Sequence, residues 1–239
     1  MEENQILDGT AIVDGNASQL SRVFTAHVFS WMVAGLAITA VVAWLFASSG
    51  AVFSLFTENG RSLLGWVVML APLGFILVMN LAFEKLSATA LSLIFLAFSA
   101  VMGMSLSYIF FVYSMTAIIK VFGITSATFA IMAVVGYTTK TDLTKFGSLL
   151  MMAVIGIVLA SLVNMFLGSE RLDYIISIVG VLVFTGLIAY DTQKIRLLGM
   201  QVGLGSQQSR KLALMGATSL YLDFINLFLF LLRILGRRD

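Results

Sequence analysis

The chain has 239 residues, of which 60% are apolar and 11% are charged, and its formal net charge is +2. Since about a quarter of the residues of a soluble domain are charged, this composition excludes one and predicts an all-α integral membrane protein. The absence of cysteine excludes disulfides and thiolate metal sites, and a single histidine, His27, argues against a multi-histidine metal site.

The first segment of the chain is polar. It contains Glu2, Glu3, Asp8 and Asp14 but no Lys or Arg before Arg22, and it lacks the basic start and short apolar core of a signal peptide. We therefore predict a polar, poorly ordered tail over residues 1–21, followed by a seven-helix transmembrane domain over residues 22–239.

Seven apolar stretches follow in chain order. Each is long enough for a membrane helix, and none alternates as a strand of a membrane barrel does. The predicted spans are residues 24–47, 62–83, 87–113, 117–138, 146–168, 174–191 and 212–235. The connections are short and charged, except for residues 194–211, which contain three glycines (199, 203 and 205) and are predicted to be flexible.

Seven spans place the two termini on opposite sides of the bilayer. Slightly more Lys and Arg residues fall on the side of the N-terminus, and this bias predicts a cytoplasmic N-terminus. If the last segment does not cross, both termini lie in the cytoplasm. In the third span, Ser99, Gly103 and Ser107 recur at a spacing of four residues, which predicts a smooth face for close helix packing.

Two acids stand out, Asp191 near the end of the sixth span and Asp223 inside the seventh. A charge at membrane depth costs about 3 kcal/mol or more, so such a residue is a functional-site hypothesis. Consecutive helices joined by one loop are antiparallel neighbours, which allows the two carboxyls to share a proton, bind a cation or catalyse a reaction. The alternative is that Asp191 is a solvated helix-end charge beside Lys194 and that Asp223 is a packing residue with satisfied hydrogen bonds.

Three further residues accompany the acids. Ser219 and Asn226 share one helix face with Asp223, and this polar stripe predicts contact with other helices or with water, as in a pore lining. Lys85 closes the second span and either extends to the lipid headgroups or serves as counter-ion to the acids. No serine has a base on a matching face, so we do not expect an enzyme.

The motifs Tyr-Asp-Thr-Gln-Lys-Ile (190–195) and Ser-Leu-Tyr-Leu-Asp-Phe-Ile-Asn-Leu-Phe (219–228) closely resemble those of the transmembrane Bax-inhibitor motif family. The segments Trp-Met-Val-Ala-Gly-Leu (31–36) and Gly-Tyr-Thr-Thr-Lys-Thr-Asp-Leu (136–143) agree with it. The resemblance covers nearly the whole chain from residue 21 onward. The number and length of the segments are similar to those of a bacterial member, which implies the inner membrane of a bacterium.

The resemblance implies a fold in which the last helix is wrapped by the first six. It also implies a pH-sensitive calcium leak channel, with Asp191 and Asp223 as the pH sensor and a weak Ca²⁺ site, and with no other cofactor. Members of the family often have an arginine that pairs with the sensor, and here Lys85 stands in what looks like its place. Lysine cannot form a fork onto two carboxylates, so this role transfers less securely than the roles of the acids.

Two other functions remain open at this point. Enterobacterial relatives are associated with modulation of the membrane protease FtsH, so a non-transporting regulator, with the bilayer and such a protease as partners, is the first alternative. An aspartyl intramembrane protease also has Tyr-Asp on its sixth helix and Asp on its seventh. That family needs Gly-x-Gly-Asp at the second acid, whereas Leu220, Tyr221 and Leu222 precede Asp223 here, which disfavours the protease. Nothing in the sequence predicts nucleic-acid binding.

Overall fold

The structure, a computed structural model, describes residues 2–57, 60–202 and 205–236, with side chains from residue 18 onward. The helices are α1 (Glu2–Ser48), α2 (Leu63–Leu81), α3 (Ala88–Leu106), α4 (Ile109–Val112), α5 (Met115–Thr138), α6 (Gly147–Leu167), α7 (Glu170–Gln201) and α8 (Gln207–Leu235). Short 3-10 helices cover Ala51–Leu55 and Leu143–Phe146, and β1 (Phe56–Thr57) pairs antiparallel with β2 (Gly60–Arg61).

Within the described residues, seven helices are long and apolar enough to cross a membrane, with α3 and α4 together forming one of them. Helices are favoured because each satisfies its own backbone hydrogen bonds where no water is available. The predicted all-α membrane fold is confirmed.

The largest difference from the predicted boundaries concerns residues 194–211. They do not form a flexible connector, because α7 continues to Gln201 and α8 begins at Gln207. Gly199 lies inside α7, where a Cβ would be 2.9 Å from the Cα of Ser21, so it permits close packing against α1. Gly205 has φ +82°, a value that favours glycine, whereas Gly203 lies outside the described residues.

The N-terminal segment also differs from the expectation of a poorly ordered tail. The backbone of α1 is helical from Glu2 onward and continues into the membrane span Ser18–Ser48. This segment contains no proline, the residue that would most readily end a helix.

The last helix is the most deeply buried of the seven spans. It packs against α1, α3, α5 and α7, while α2 packs mainly on α3, and α6 packs mainly on α7 at the periphery. Leu220, Tyr221 and Leu227 of α8 are fully buried in the resulting core. This arrangement agrees with the expected central position of the last helix.

The small residues of α3 allow the close packing predicted for them. Ser99 and Ser107 are fully buried, and a Cβ on Gly103 would lie 2.6 Å from the carbonyl oxygen of Thr39 on α1. Since only glycine fits at this distance, α1 and α3 are fixed closely together on one side of α8.

Candidate functional site

The structure brings the two membrane acids together. Helices α7 and α8 are antiparallel neighbours because only residues 202–206 connect them. The carboxyl groups of Asp191 and Asp223 are in hydrogen-bonding contact. Asp223 is 5% exposed and Asp191 is half-buried, so the pair lies inside the bundle rather than at its surface.

The residues around the pair do not satisfy all of its hydrogen-bonding atoms. Asp223 Oδ2 is buried and has no hydrogen-bond partner among the described residues. Asp223 is therefore not the fully bonded packing residue of the alternative hypothesis. Lys194, three residues after Asp191 on α7, is exposed and close enough to interact electrostatically with that acid.

Lys85 forms no ion pair with these acids among the described residues. It is exposed in the turn that follows α2, where its backbone N–H donates to the carbonyl oxygen of Ala82. No ion pair joins Lys85 to either acid in the described part of the chain, and the cation that interacts with Asp191 is Lys194. The structure does not bring the predicted counter-ion to the pair.

The polar stripe on α8 stays within the bundle. Ser219 and Asn226 are both half-buried on either side of the buried Asp223. Asn226 Nδ2 donates to the carbonyl oxygen of Leu222 at 2.8 Å, one turn before it on the same helix. The predicted lining residues thus flank the pair along the helix axis.

Gln193, two residues after Asp191, joins α7 by hydrogen bonds to the connection between α5 and α6. Its Nε2 donates to the carbonyl oxygen of Thr141 at 2.8 Å, and its Oε1 accepts from the backbone N–H of Leu143 at 2.8 Å. Gln193 is 3% exposed, and both bonds are partly buried. These bonds fix the rotation of α7 about its axis and hence the direction of Asp191.

Two glycines bring other helices against α7 beside the acid. A Cβ on Gly136 of α5 would lie 2.2 Å from the carbonyl oxygen of Ala189, and a Cβ on Gly147 of α6 would lie 2.6 Å from the Tyr190 hydroxyl. The obstacle at Gly136 is backbone, so a side chain there would push α5 away from α7, whereas a side chain at Gly147 would displace the end of the Tyr190 side chain.

Tyr221, two residues before Asp223, anchors α8 from the other side. Its hydroxyl donates to Thr39 Oγ1 at 2.6 Å, and that hydroxyl donates in turn to the carbonyl oxygen of Ser99 at 2.9 Å. The ring packs against Phe95 and Phe98, with ring centroids 6.1 and 5.2 Å away. Tyr221 is part of the motif at residues 219–228, but the sequence does not indicate a role for it, since its partners lie on α1 and α3.

Lys211 is a second residue that sequence reasoning missed. It is 5% exposed near the start of α8, and its Nζ lies 4.5 Å from the centre of the Phe83 ring. Its position in a supposed loop gave no sign of burial. This cation–π contact joins the start of α8 to the turn after α2.

The opposite end of α7 and α8 carries a different set of charges. Arg233 Nη1 lies 3.4 Å from Asp173 Oδ1, and a cavity of about 720 Å³ opens beside this ion pair. The lining includes Tyr108, Asn164 and Glu170. The two ends of the α7–α8 pair thus differ, with the contacting acids toward the α7–α8 connection and a polar cavity at the other end.

The sequence profile of the family described as "Inhibitor of apoptosis-promoting Bax1" matches residues 21–239. The chain belongs to the Bax inhibitor family. The family assignment confirms the resemblance seen in the sequence. The protein is a multi-pass membrane protein.

Bax inhibitor family relatives cover almost the entire chain. The inner membrane protein YbhL of Escherichia coli is 46% identical over 218 residues, which are 91% of this chain and 92% of that protein. An uncharacterized protein of Borreliella burgdorferi is 43% identical over 219 residues, 92% of this chain and 94% of its own. An uncharacterized protein of Deinococcus radiodurans is 41% identical over 218 residues, 91% and 92% of the two chains.

The donor set of the acid pair suits a weakly held cation or a shared proton. Among the described residues, no group of three or more His, Cys, Asp and Glu side chains forms a metal cluster. Ca²⁺ takes about six to eight oxygen ligands, and the two carboxylates with the Asn226 oxygen supply fewer. Water must complete the coordination of any bound Ca²⁺.

Proposed function

We propose that this protein is a pH-sensitive calcium leak channel of a bacterial inner membrane, with its N-terminus in the cytoplasm and with Asp191 and Asp223 as the proton switch. The observation that carries the proposal is the contact between the half-buried carboxyl of Asp191 and the buried carboxyl of Asp223. Two carboxylates in direct contact repel each other when both are ionised, and one shared proton removes the repulsion. Protonation therefore favours the contact between α7 and α8, and loss of the proton favours their separation.

An apolar barrier next to the pair supports a closed conformation. The rings of Phe224 and Phe228 on α8 pack edge-to-face on Phe122 of α5 at centroid distances of 5.4 and 6.2 Å. Phe129 packs on Phe224 at 5.6 Å. A cavity of only about 90 Å³ remains beside these rings. Hydrophobic constrictions of this kind stop ions by excluding water, so opening requires α8 to move relative to α5.

Calcium is the proposed cargo because the site offers oxygen ligands alone. Asp191, Asp223 and the Asn226 carboxamide oxygen are hard donors that suit Ca²⁺. Their small number favours release, which conduction requires. Protons and Ca²⁺ compete for the same carboxylate oxygens, so calcium entry should fall as the pair becomes protonated.

Calcium entry into proteoliposomes that contain a calcium-sensitive dye tests this function. We expect entry that depends on the protein and changes between about pH 6 and 8. Asp191→Asn and Asp223→Asn should each abolish the pH dependence, whereas Asp142→Asn, the same change in the exposed α5–α6 connection, should preserve it. Lack of protein-dependent Ca²⁺ entry at every pH would refute the channel.

Charge substitutions identify the cation that acts on the pair. Lys194→Ala should move the midpoint of the pH response toward higher pH, because removing a nearby cation disfavours the ionised carboxylate. Lys85→Ala should leave the midpoint unchanged, since Lys85 is exposed and forms no described ion pair with the acids. A midpoint that moves in Lys85→Ala but not in Lys194→Ala would restore Lys85 as counter-ion.

The second candidate is a non-transporting regulator of a membrane protease of the FtsH type. The observation that favours it is the aromatic closure between α5 and α8, which fits a protein that does not conduct. In that case the acid pair changes only the conformation of α7 and α8. The same flux assay separates the two functions, because a regulator retains a pH-dependent conformational change without any Ca²⁺ entry.

A further inference from the structure

Four buried side-chain atoms in the described part of the chain have no hydrogen-bond partner, and all of them belong to α1, α7 or α8. They are Thr25 Oγ1, Thr192 Oγ1, Arg196 Nε and Asp223 Oδ2. Thr25 is 6% exposed and Thr192 is fully buried, so neither reaches bulk solvent. An unpaired buried polar group costs about 1–3 kcal/mol, and folded proteins satisfy such groups with ordered water.

A contact between α1 and α7 sets the level of the first three of these residues in the bundle, where the Arg196 guanidinium itself lies on Tyr137 of α5. The hydroxyl of Ser21 donates to the carbonyl oxygen of Arg196 at 2.8 Å, at the end of the bundle where α7 ends. The two helices run in opposite directions. Thr25, one turn after Ser21, therefore lies at the level of α7 residues about one turn before Arg196, which is where Thr192 is found.

Helix α8 packs against both α1 and α7 beside their interface. A Cβ on Gly216 would lie 3.2 Å from the Ile195 side chain of α7 and 3.4 Å from that of Val28 on α1. Thr192 directly follows Asp191, whose carboxyl contacts Asp223 on α8. Thr192 thus lies in the chain between Arg196, near the end of α7, and the acid that contacts Asp223.

We propose that ordered water occupies this crevice, defined by Thr25, Thr192 and Arg196, and that it carries protons between the membrane surface at the α7–α8 connection and the pair of Asp191 and Asp223. Each of the unpartnered atoms gains a water partner in this arrangement. The proton-carrying role rests on the proposed function, whereas the presence of water does not.

The charges around the crevice favour protons over calcium. Arg196 contributes a permanent cation, whose Nη1 donates to the carbonyl oxygen of Tyr137 at 2.7 Å and whose guanidinium lies 6.0 Å from the Tyr137 ring centre. Lys194 on α7 and Arg22 on α1 are exposed at the same end. These cations repel Ca²⁺, while a proton passes along water by exchange of hydrogen bonds. The crevice is therefore separate from the calcium path.

Cysteine accessibility tests for water directly, and the natural chain has no cysteine that would react in the background. Thr25→Cys and Thr192→Cys are compared in membrane vesicles with Thr218→Cys as matched control. Thr218 is 5% exposed on α8, but its hydroxyl donates to the carbonyl oxygen of Leu214 at 2.8 Å. A small water-soluble methanethiosulfonate should modify the two crevice variants about tenfold faster than the control, because only a hydrated thiol ionises readily. Equal rates at all three positions would overturn the proposal.

Infrared spectra in deuterated water test the proton path without any flux measurement. In the wild-type protein, the protonated carboxyl band of the acid pair should exchange ahead of the amide band of the membrane helices. Thr192→Val should slow the carboxyl exchange, whereas Thr192→Ser, which keeps the hydroxyl, and Thr218→Val should not. Slow wild-type exchange, or exchange in Thr192→Val at the wild-type rate, would overturn the proton path. Absence of Ca²⁺ entry together with fast exchange would overturn the channel alone.

Discussion

Gly136→Ala tests how closely α5 is held against α7 beside Asp191. A Cβ on Gly136 would lie 2.2 Å from the carbonyl oxygen of Ala189 and 2.7 Å from its Cα, whereas ordinary contacts begin at 3.4 Å. Both obstacles are backbone atoms, so the helices must separate by roughly 1 Å to admit the methyl group. Overpacking of this kind costs about 1–3 kcal/mol.

Gly123 on the same helix provides the matched control. Nothing lies within 4 Å of a Cβ at this position, so Gly123→Ala adds a methyl group without a clash. Alanine is a better helix former than glycine by about 1 kcal/mol, so this variant should be more stable than the wild type. Gly136→Ala gains the same helix term, so the clash alone predicts that Gly123→Ala exceeds Gly136→Ala in stability by about 1–3 kcal/mol.

Equilibrium unfolding of the purified variants in detergent micelles, followed by circular dichroism, measures this difference. Infrared spectra of the carboxyl groups give a second measurement, because Ala189 is two residues from Asp191 and a displaced α7 weakens the contact with Asp223. Gly136→Ala should therefore change the carboxyl spectrum and Gly123→Ala should not. Equal stability of the two variants would refute the close approach of α5 and α7.

Three further predictions concern single contacts. Tyr221→Phe should lower the free energy of unfolding by about 1 kcal/mol, because it removes the buried hydroxyl and its hydrogen bond to Thr39. Gln193→Ala should speed amide exchange across residues 139–146 by about tenfold, because two partly buried hydrogen bonds to this connection are lost. Hydrogen bonds from Thr144 lower the pKa of Asp142 below the ordinary 3.8. The amide-exchange protection of this turn should therefore stay constant from neutral pH downward and should fall only as the pH passes through that lowered pKa.

Each of these predictions has a control. Tyr174→Phe removes an exposed hydroxyl and should leave the unfolding free energy unchanged. Gln201→Ala changes an exposed amide at the end of α7 and should leave residues 139–146 protected. Asp142→Asn should remove the acid-induced loosening of the turn. A loss of stability in Tyr174→Phe as large as that in Tyr221→Phe, or loosening of the turn already at pH 6, would contradict the corresponding assignment.

The sequence by itself determined the membrane class, the seven spans and the helices that carry the two acids. These properties are local, because a helix in lipid satisfies its own backbone hydrogen bonds and a membrane span is one run of consecutive apolar residues. The antiparallel neighbourhood of α7 and α8 also followed from chain order. The boundary errors fell where helices extend beyond the bilayer core, as in α7 after Asp191, since charge there marks the membrane surface and not the end of a helix.

Only the tertiary structure decided which side chains meet the acids. The fold placed Lys194 near Asp191 and gave Lys85 no ion pair with either acid in the described residues. It also gave Gln193 partners in the α5–α6 connection and gave Tyr221 a partner on α1. The physical reason is that all the helices present similarly apolar surfaces. Their pairing then depends on shape, on close approach at glycines such as Gly136, and on hydrogen bonds between residues far apart in the chain.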